Sequence, residues 1–355
     1  MAKEIWILGA NGRCGRAAAN DLAARQHSVV LVGRDAARLG QLAGAIGGAA
    51  RVVVADSVKR ISAELARSTA AVVVNTIGPF AQTAVPIARA CPPGCHYVDL
   101  SNELFAMIDL LEMREEAVAG GGCWVTGAGF GVLGTESIVL KLCEGQPAAA
   151  RVRVDALPFV DGAGPFGATL AATIVEGLPL GGRRYENGVL VRAKYGDDPR
   201  RLTLPDGSTM VTGAMPTGDL EAARRASGAS LATAASNMAP SSPMGRTLMA
   251  AVAPLFASRA VRDFATRRLA RVQPAPPAQK RDSWAHARVE WSDGRVRDGW
   301  LRTGEAMAFT NRVTAEVAAR LARGEGRPGA YTPGALFGAD LAVTAGAQFI
   351  VDRSA

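Results

Sequence analysis

The stretch that decides the fold is EIWILGANGRCG, residues 4–15, in which a mostly apolar run passes directly into three glycines spaced as GxxGxxG. The apolar run predicts a buried strand, and the alanine-rich stretch that follows predicts a helix. In such a turn the first glycine makes a tight bend. The second lets the backbone approach a phosphate, and the third lets helix and strand pack closely. The stretch therefore predicts a strand, a phosphate-binding turn and a helix.

The same rhythm continues to about residue 145. Short β-branched runs alternate with helical stretches, which is typical of a parallel doubly wound sheet. Because the glycine turn heads a regular alternation, its context favours dinucleotide binding over a tight turn without a ligand. The predicted strands are Glu4–Leu8, Ser28–Val32, Arg51–Ala55, Ala71–Thr76, Cys95–Asp99 and Cys123–Thr126, with helices predicted at 13–26, 36–46, 58–69, 81–91 and 103–119.

After Cys143 the pattern changes to longer strands with Asn-Gly and Asp-Gly turns, which are typical of antiparallel hairpins. The alanine-rich segment 219–272 predicts mostly helix, broken near Ser241-Ser242-Pro243, and the proline-rich segment 273–279 predicts a connector. We therefore expect an α/β fold with two parts. Residues 1–145 form a Rossmann domain with a doubly wound parallel sheet. Residues 146–332 form a second α+β domain built on a mostly antiparallel sheet, which binds substrate and dimerises. The strands predicted for the second domain are Ala150–Leu157, Val189–Lys194, Arg200–Leu204 and His286–Trp291.

The charge distribution argues against a nucleic-acid partner. The net charge is +8 at pH 7, but the arginines are scattered along the chain rather than clustered with aromatic residues. The densest arginine stretch, 259–271, has helical spacing and indicates a solvated helix face or, alternatively, a surface for an acidic carrier protein. The longest apolar runs are too short for a membrane span, and the N-terminus lacks the pattern of a signal peptide. We expect a cytoplasmic protein.

Other classes of site lack their minimal motifs. The five cysteines are an odd set without zinc-ligand spacing, so we expect free thiols and no metal. The sequence contains no GxSxG, HExxH or GxxxxGK[ST] motif, which excludes the corresponding hydrolase, metalloprotease and P-loop chemistries.

The end of the second strand bears on cofactor choice. Asp35 stands where NAD-dependent enzymes commonly place an acid that binds the ribose 2′-hydroxyl. The neighbouring Arg34 could pair with a 2′-phosphate, so we predict NADP(H), with Arg38 assisting. The alternative is that Asp35 only caps the next helix and Arg34 is solvated. The predicted cofactor-binding residues are Gly9, Ala10, Asn11, Gly12, Arg13, Cys14, Gly15, Arg34, Asp35, Asp56, Ser57, Asn75, Thr76, Ile77, Gly78 and Pro79.

Further motifs make the chain recognisable. Besides the glycine turn these are VGRD (32–35), VNTIGPF (74–80), CHYVDLSNE (95–103) and GAGF (127–130). In order and spacing they resemble the saccharopine dehydrogenase-like, or saccharopine reductase, family over roughly the first 140 residues. Residues 331–338 also resemble that family's closing segment, which implies that 333–355 return to the Rossmann domain. Between about 150 and 305 the resemblance is slight.

The resemblance implies an NADPH-dependent reductase of a C=N bond, acting on a small or carrier-bound substrate. Our specific prediction is a thiazolinyl imine of siderophore biosynthesis. The alternatives are a trans-acting enoyl reductase of lipid or polyketide chains and a non-catalytic NADPH sensor. Two motifs depart from the family, since Leu100 to Glu103 replace Thr-Gly-Glu and Gly131 to Gly134 replace Asp-Ser-Val-Pro. We also expect a homodimer formed through the second domain.

The candidate catalytic residues are His96, Tyr97, Asp99 and Glu103, which lie at or near the end of the fifth strand. A carboxylate or phenol there could donate the proton that completes the reduction. The alternatives are structural: His96 and Tyr97 can alternate in a buried strand, and Asp99 or Glu103 can stabilise the start of the next helix.

Overall fold

The computed structural model describes residues 4–47, 50–161, 181–240, 242–272 and 282–351, together with residues 171, 175 and 177. The chain forms two compact units, each built around its own sheet. The first unit takes in Met1–Ser101, Phe105–Gly129 and Thr310–Leu336; the second takes in Asn102–Leu104, Phe130–Phe309 and Phe337–Ala355.

The sheet of the first unit contains β1 (Glu4–Leu8), β2 (Ser28–Gly33), β3 (Arg51–Val54), β4 (Ala70–Asn75), β5 (His96–Asp99), β6 (Cys123–Val125) and β15 (Gly329–Tyr331). Their order is β15-β6-β5-β4-β1-β2-β3, and every neighbouring pair is parallel. Consecutive residues of β1 and β4 are buried, as expected where both faces of a parallel sheet are covered. The predicted doubly wound sheet is confirmed.

The helices that connect these strands are α1 (Arg13–Ala24), α2 (Ala36–Ile46), α3 (Val58–Leu65), α4 (Phe80–Ala90), α5 (Leu104–Glu112) and α6 (Arg114–Ala119). The predicted helix 103–119 is thus two helices separated at Met113. Side chains of strands and helices share one apolar core that includes Trp6, Val30, Phe80 and Tyr97.

The sheet of the second unit is larger and mixed. Its strands are β7 (Arg151–Leu157), β8 (Gly182–Glu186), β9 (Val189–Ala193), β10 (Arg200–Thr203), β11 (Thr209–Ala214), β12 (Leu231–Ser236), β13 (Ser283–Glu290), β14 (Val296–Thr303) and β16 (Gln348–Val351). The main path is β10-β11-β12-β7-β13-β14-β16, with β8 pairing β12 and β9. The pair β12 and β7 is parallel and the other recorded pairs are antiparallel, which confirms a mostly antiparallel second sheet.

The later helices are α7 (Thr135–Cys143), α8 (Gly218–Ser227), α9 (Pro243–Val252), α10 (Arg259–Ala270), α11 (Ala306–Ala322), α12 (Pro333–Phe337) and α13 (Asp340–Thr344). No helix among the described residues is both long and apolar enough to cross a membrane.

Two sequence expectations need correction in detail. The segment 219–272 is mostly helical and α9 begins at Pro243, after the predicted break, but β12 also interrupts it. Gly228, with φ of +66°, ends α8, and Leu231–Ser236 then pairs with β7, so strand pairing overrides the helical propensity of alanine.

The second correction concerns the C-terminal segment. The return to the first sheet is made by β15, whereas β16 pairs with β14 of the second sheet, so 333–355 do not all return to the Rossmann sheet. The predicted connector 273–279 lies outside the described residues.

Candidate functional site

The glycine turn closes tightly on the end of β1. The N–H groups of Gly9 and Ala10 both donate to the carbonyl of Val32, at 2.9 and 3.1 Å, and the N–H of Gly12 donates to the carbonyl of Gly9 at 2.8 Å. Gly9 has a φ of +78°, and a Cβ on Gly15 would lie 2.3 Å from the Gly9 carbonyl oxygen. Glycine is therefore required at both positions for β1 to meet α1 this closely.

The same turn contacts the end of β4. A Cβ on Gly9 would lie 2.8 Å from Oγ1 of Thr76 and 3.0 Å from Cγ1 of Ile77. The Thr76 hydroxyl donates to the carbonyl of Leu8 at 2.8 Å. The structure therefore brings the predicted residues of the first and fourth strand ends together at the carboxyl edge of the sheet.

This edge fits a dinucleotide. Asp35 caps α2 and Ser57 caps α3, but no side chain caps α1. An uncapped helix N-terminus beside a glycine turn suits a phosphate. Asn11 donates through Nδ2 to the Asp35 carbonyl at 3.4 Å, while its buried Oδ1 has no hydrogen-bond partner within the described residues. A ligand hydroxyl at this edge could donate a hydrogen bond to that oxygen.

The residues that bear on cofactor choice are solvent-accessible. Arg34 is exposed, and the described part of the chain provides it with no recorded hydrogen bond or ion pair. Asp35 accepts a hydrogen bond from the Arg38 N–H at 3.0 Å and lies 3.4 Å from its guanidinium. Asp56 is exposed and lies 3.7 Å from the Arg60 guanidinium. Asp35 is thus engaged as a helix cap, and Arg34 is an exposed charge that a ligand can reach.

The Asn75 side chain forms hydrogen bonds that link the end of β4 to α4 and β5. Its Nδ2 donates to the Thr83 hydroxyl at 3.2 Å and to the Tyr97 hydroxyl at 3.0 Å, and its Oδ1 accepts from the Ile77 N–H at 3.0 Å. The Thr83 hydroxyl donates to the Ile77 carbonyl at 2.6 Å. Asn75 is fully buried. These bonds fix the backbone that runs from β4 into α4.

Asp99 is the centre of a second set of buried bonds at the same edge. Its Oδ1 accepts from the Ser101 N–H at 3.0 Å, the Thr126 hydroxyl at 2.8 Å and the Gly127 N–H at 3.1 Å. Its Oδ2 accepts from the Tyr97 hydroxyl at 3.0 Å. Burial raises the pKa of Asp99 to about 6 even though these bonds oppose the rise. Burial, together with the charge of Asp99, also raises the pKa of Tyr97 well above its usual value.

The four candidate catalytic residues are not equivalent. Tyr97 and Asp99 are both fully buried and hydrogen-bonded to each other. His96 is the first residue of β5, level with Val72, so it lies at the amino end of the strand, and its Nδ1 accepts from the Cys123 N–H at 3.1 Å. Glu103 belongs to the second unit, where its backbone bridges to Thr217. Tyr97 and Asp99 are thus joined directly by a hydrogen bond.

Sequence reasoning missed Thr83, Thr126 and Gly127 as members of this edge. Thr126 and Gly127 directly follow β6, so the rule that ligands bind at the carboxyl ends of parallel strands could have found them. Thr83 lies one turn into α4 and carries no comparable signal.

A second buried carboxylate, Asp219, lies in the second unit. It accepts from the Thr135 hydroxyl at 2.7 Å, and burial raises its pKa to about 6 against hydrogen bonds that include one from Asn102. A Cβ on Gly131 would lie 2.3 Å from the Asn102 amide nitrogen. The absence of a side chain at Gly131 therefore makes room for Asn102. No motif in the sequence pointed to Asp219.

Comparison with known proteins identifies relatives for part of the chain. The trans-acting enoyl reductase of Mycobacterium leprae (strain TN) is 28% identical over 146 residues, which are 39% of this chain and 35% of that protein. The trans-acting enoyl reductase of Mycobacterium ulcerans (strain Agy99) is 30% identical over 125 residues, 34% of this chain and 30% of the relative. The alignments thus span about a third of the curated relatives. No protein-family model matches the chain.

Among solved structures, the apo form of saccharopine dehydrogenase (L-Glu forming) from Saccharomyces cerevisiae superimposes with a TM-score of 0.64 at 13% identity. The superposition covers 98% of this chain and all of that one. The chain therefore has the fold of saccharopine dehydrogenase, including the second sheet, where sequence resemblance is slight.

Proposed function

We propose that the protein is an NADP(H)-dependent oxidoreductase that reduces the C=C bond of an enoyl thioester. Similarity to trans-acting enoyl reductases carries this proposal, because it is the sequence match that names an acceptor. Since the match spans only about a third of each relative, the substrate is a proposal for this chain. The dinucleotide cradle at the carboxyl edge of the first sheet supports the cofactor.

The cofactor would be held by the glycine turn and the open N-terminus of α1, with Asn11 Oδ1 accepting from a hydroxyl of the ligand. When bound, NADPH supplies a hydride. Arg34 is exposed beside the capped start of α2, and its guanidinium suits a 2′-phosphate better than the neutral ribose of NAD(H). This arrangement supports NADP(H) as the preferred cofactor.

The buried bonds around Asn75 and Asp99 support a positioning role. They hold the backbone that follows β4, β5 and β6, which is the surface that faces a ligand in an open α/β sheet. A pKa of about 6 would also suit Asp99 to proton transfer near neutral pH, but its carboxylate is fully buried and accepts four hydrogen bonds. We therefore assign Asp99 and Tyr97 to positioning. For Tyr97 and Asp99 this proposal takes the place of the catalytic role predicted from the sequence, whereas catalysis by His96 or Glu103 stays a prediction.

Reduction of an imine is the second candidate function, and it is favoured by the fold shared with saccharopine dehydrogenase. At 13% identity that likeness shows the fold and not the substrate. A thiazolinyl imine of siderophore biosynthesis is its most specific form. A carrier-bound acceptor, a homodimer, a cytoplasmic location and a non-catalytic NADPH sensor are further predictions.

The experiment measures the fall in nicotinamide absorbance when the full chain is mixed with NADPH or with NADH. The acceptors are crotonyl pantetheine, a synthetic thiazoline and a cyclic imine, each tested separately. The proposal expects turnover of the enoyl thioester with NADPH preferred. Turnover of an imine with none of the thioester would replace it by the second candidate. Tight NADPH binding without turnover of any acceptor would favour the sensor.

A further inference from the structure

The segment 238–272 of the second unit carries a concentration of exposed apolar side chains. Among the described residues twelve large apolar side chains are exposed, and six of them lie in this segment. Met244 is 82% exposed, Leu255 62% and Phe264 56%. Exposed apolar side chains in such a concentration mark a surface that meets a partner or a membrane. The six are Met238, Met244, Leu255, Val261, Phe264 and Val272; we call this the 238–272 surface.

The helices of this surface are not explained by packing within the unit. α9 and α10 are joined by a short 3₁₀ turn, Ala253–Ala257. α10 is 12 residues long and has no buried residue. A helix that packs on a core buries an apolar stripe, so the apolar residues of α10 serve something other than the core of this unit.

The same segment is strongly cationic. It contains six arginines, a single acid, Asp263, and no lysine or glutamate. Arg259 lies 4.0 Å from Asp263. Three arginines are exposed and form no recorded ion pair with the described residues. They are Arg267, Arg268 and Arg271.

Charge and apolar surface share one face of α10. Residues 264, 267, 268 and 271 follow the i, i+3, i+4, i+7 spacing that places side chains on one side of a helix. The Arg268 guanidinium lies 5.4 Å from the centroid of the Phe264 ring. Val261, one turn earlier, is also exposed. The face therefore presents an aromatic ring and a valine among three arginines.

We propose that the 238–272 surface binds an anionic lipid surface. The exposed apolar side chains enter the boundary between headgroups and acyl chains, and the three arginines meet the lipid phosphates. An acidic protein would match the arginines as well. A lipid layer, however, also accepts apolar side chains that stand on separate elements, such as Met244, Leu255 and Phe264, because it deforms around them. The proposal is independent of the reductase chemistry.

The test is sedimentation of the full chain with vesicles containing equal amounts of phosphatidylglycerol and phosphatidylcholine, and with vesicles of phosphatidylcholine alone. We expect binding to the anionic vesicles that weakens as salt is added, because salt screens the attraction. We expect binding to the neutral vesicles to be much weaker. Failure to bind the anionic vesicles would overturn the proposal whatever the outcome of the reductase assays.

Matched variants locate the binding surface. The triple variant Arg267→Gln, Arg268→Gln, Arg271→Gln should lower the partition coefficient about a hundredfold, since each arginine at an anionic surface contributes roughly fivefold. The control variant changes three exposed arginines outside this surface, and we expect its partition coefficient to change less than about twofold. These are Arg67→Gln, Arg192→Gln and Arg201→Gln.

The apolar contribution is tested in the same way. Leu255→Ser with Phe264→Ser should lower vesicle binding about tenfold or more, whereas Val118→Ser with Val189→Ser, at exposed positions outside the surface, should not. Circular dichroism checks that each variant is folded. Equal losses in the surface and control variants would contradict the proposal. The proposal would also be contradicted if the protein bound a labelled acidic acyl carrier protein but no vesicles, and if the arginine variant lost that binding.

Discussion

The Thr126 hydroxyl donates a hydrogen bond of 2.8 Å to Oδ1 of Asp99, although the two residues are 27 positions apart in the chain. The bond joins the residue that ends β5 to the residue that follows β6. With the bonds of Asn75 to Tyr97 and of Tyr97 to Asp99, it makes a continuous buried link across three strand ends. Side chains, in addition to backbone pairing, therefore hold the carboxyl edge of the first sheet.

Tyr97→Phe tests this link. The change leaves Oδ2 of Asp99 without its recorded donor in a buried place, so we expect the free energy of unfolding to fall by about 1–3 kcal/mol. Urea denaturation measures it, and Tyr331→Phe, which removes one bond to the Pro328 carbonyl, is the milder control. If Tyr97 only positions the edge, the pH profile of kcat/KM keeps its shape in the variant. If the Tyr97→Phe variant lost one limb of that profile, Tyr97 would instead be a proton donor.

Asp99 should make stability depend on pH. Its pKa in the folded protein is about 6 against an ordinary value of 3.8, so between these values the folded state binds more protons than the unfolded state. The free energy of unfolding therefore rises as pH falls from about 6 towards 3.8, and the contribution of Asp99 is lowest above pH 6. We expect wild type to gain up to about 3 kcal/mol relative to Asp99→Asn between pH 7 and pH 4. Asp293→Asn is the control, because hydrogen bonding to the Arg295 N–H lowers the pKa of Asp293 and reverses the slope.

His286 of the second unit should show a different pH range. Its Nδ1 lies 3.1 Å from Asp155 and its Nε2 2.9 Å from Asp298. Burial disfavours the imidazolium, but the two carboxylates outweigh it and raise the pKa of His286 above 6.5. Its stabilisation is thus complete below pH 6.5 and is lost as pH rises through the folded pKa.

The measurement is the free energy of unfolding of wild type and His286→Gln across that range, and we expect the difference between them to shrink as pH rises. His27→Gln is the control of opposite sign, because burial lowers the pKa of His27. A pH-independent difference for His286→Gln would show that the pKa of His286 is the same in the folded and unfolded states, which would contradict the prediction.

Gly15→Ala should abolish dinucleotide binding. The new Cβ would lie 2.3 Å from the Gly9 carbonyl oxygen, so the turn must open. Fluorescence titration with NADPH measures the loss of affinity, which we expect to exceed about a hundredfold. This loss corresponds to a few kcal/mol, the free-energy cost of displacing the backbone of the turn. Gly40→Ala in α2 is the matched control, since its Cβ would meet nothing within 4 Å and should leave binding unchanged. Unchanged affinity in Gly15→Ala would remove the glycine turn from the cofactor site.

Arg34→Gln should alter cofactor preference. Loss of a charge-assisted bond to the 2′-phosphate should weaken NADPH binding about tenfold to a hundredfold and leave NADH binding nearly unchanged. Competitive titration of both cofactors checks this, with the distant, exposed Arg67→Gln as control. Equal weakening of both cofactors would mean that Arg34 does not read the 2′-phosphate.

The sequence was most informative where local chemistry and fold agree. Glu4–Leu8 followed by three glycines predicted β1, its turn and α1, and the structure confirms them. Leu231–Ser236 was missed because LATAAS has a helical composition, and only pairing with β7 makes it a strand. The network of Asp99 could not be predicted either. Tyr97 and Ser101 lie two residues from Asp99 in the chain, but the other two donors, Thr126 and Gly127, reach it only when β5 and β6 pair.

The strand β15 has a consequence for biosynthesis. It forms the edge of a sheet whose other strands are complete by Val125, yet it leaves the ribosome about two hundred residues later, after most of the second unit. Until then the backbone of β6 has an unpaired edge, the kind of template on which other chains can add. The sheet of the N-terminal unit is therefore complete only after Tyr331 has been synthesised, and until then the edge of β6 is open to pairing with other chains.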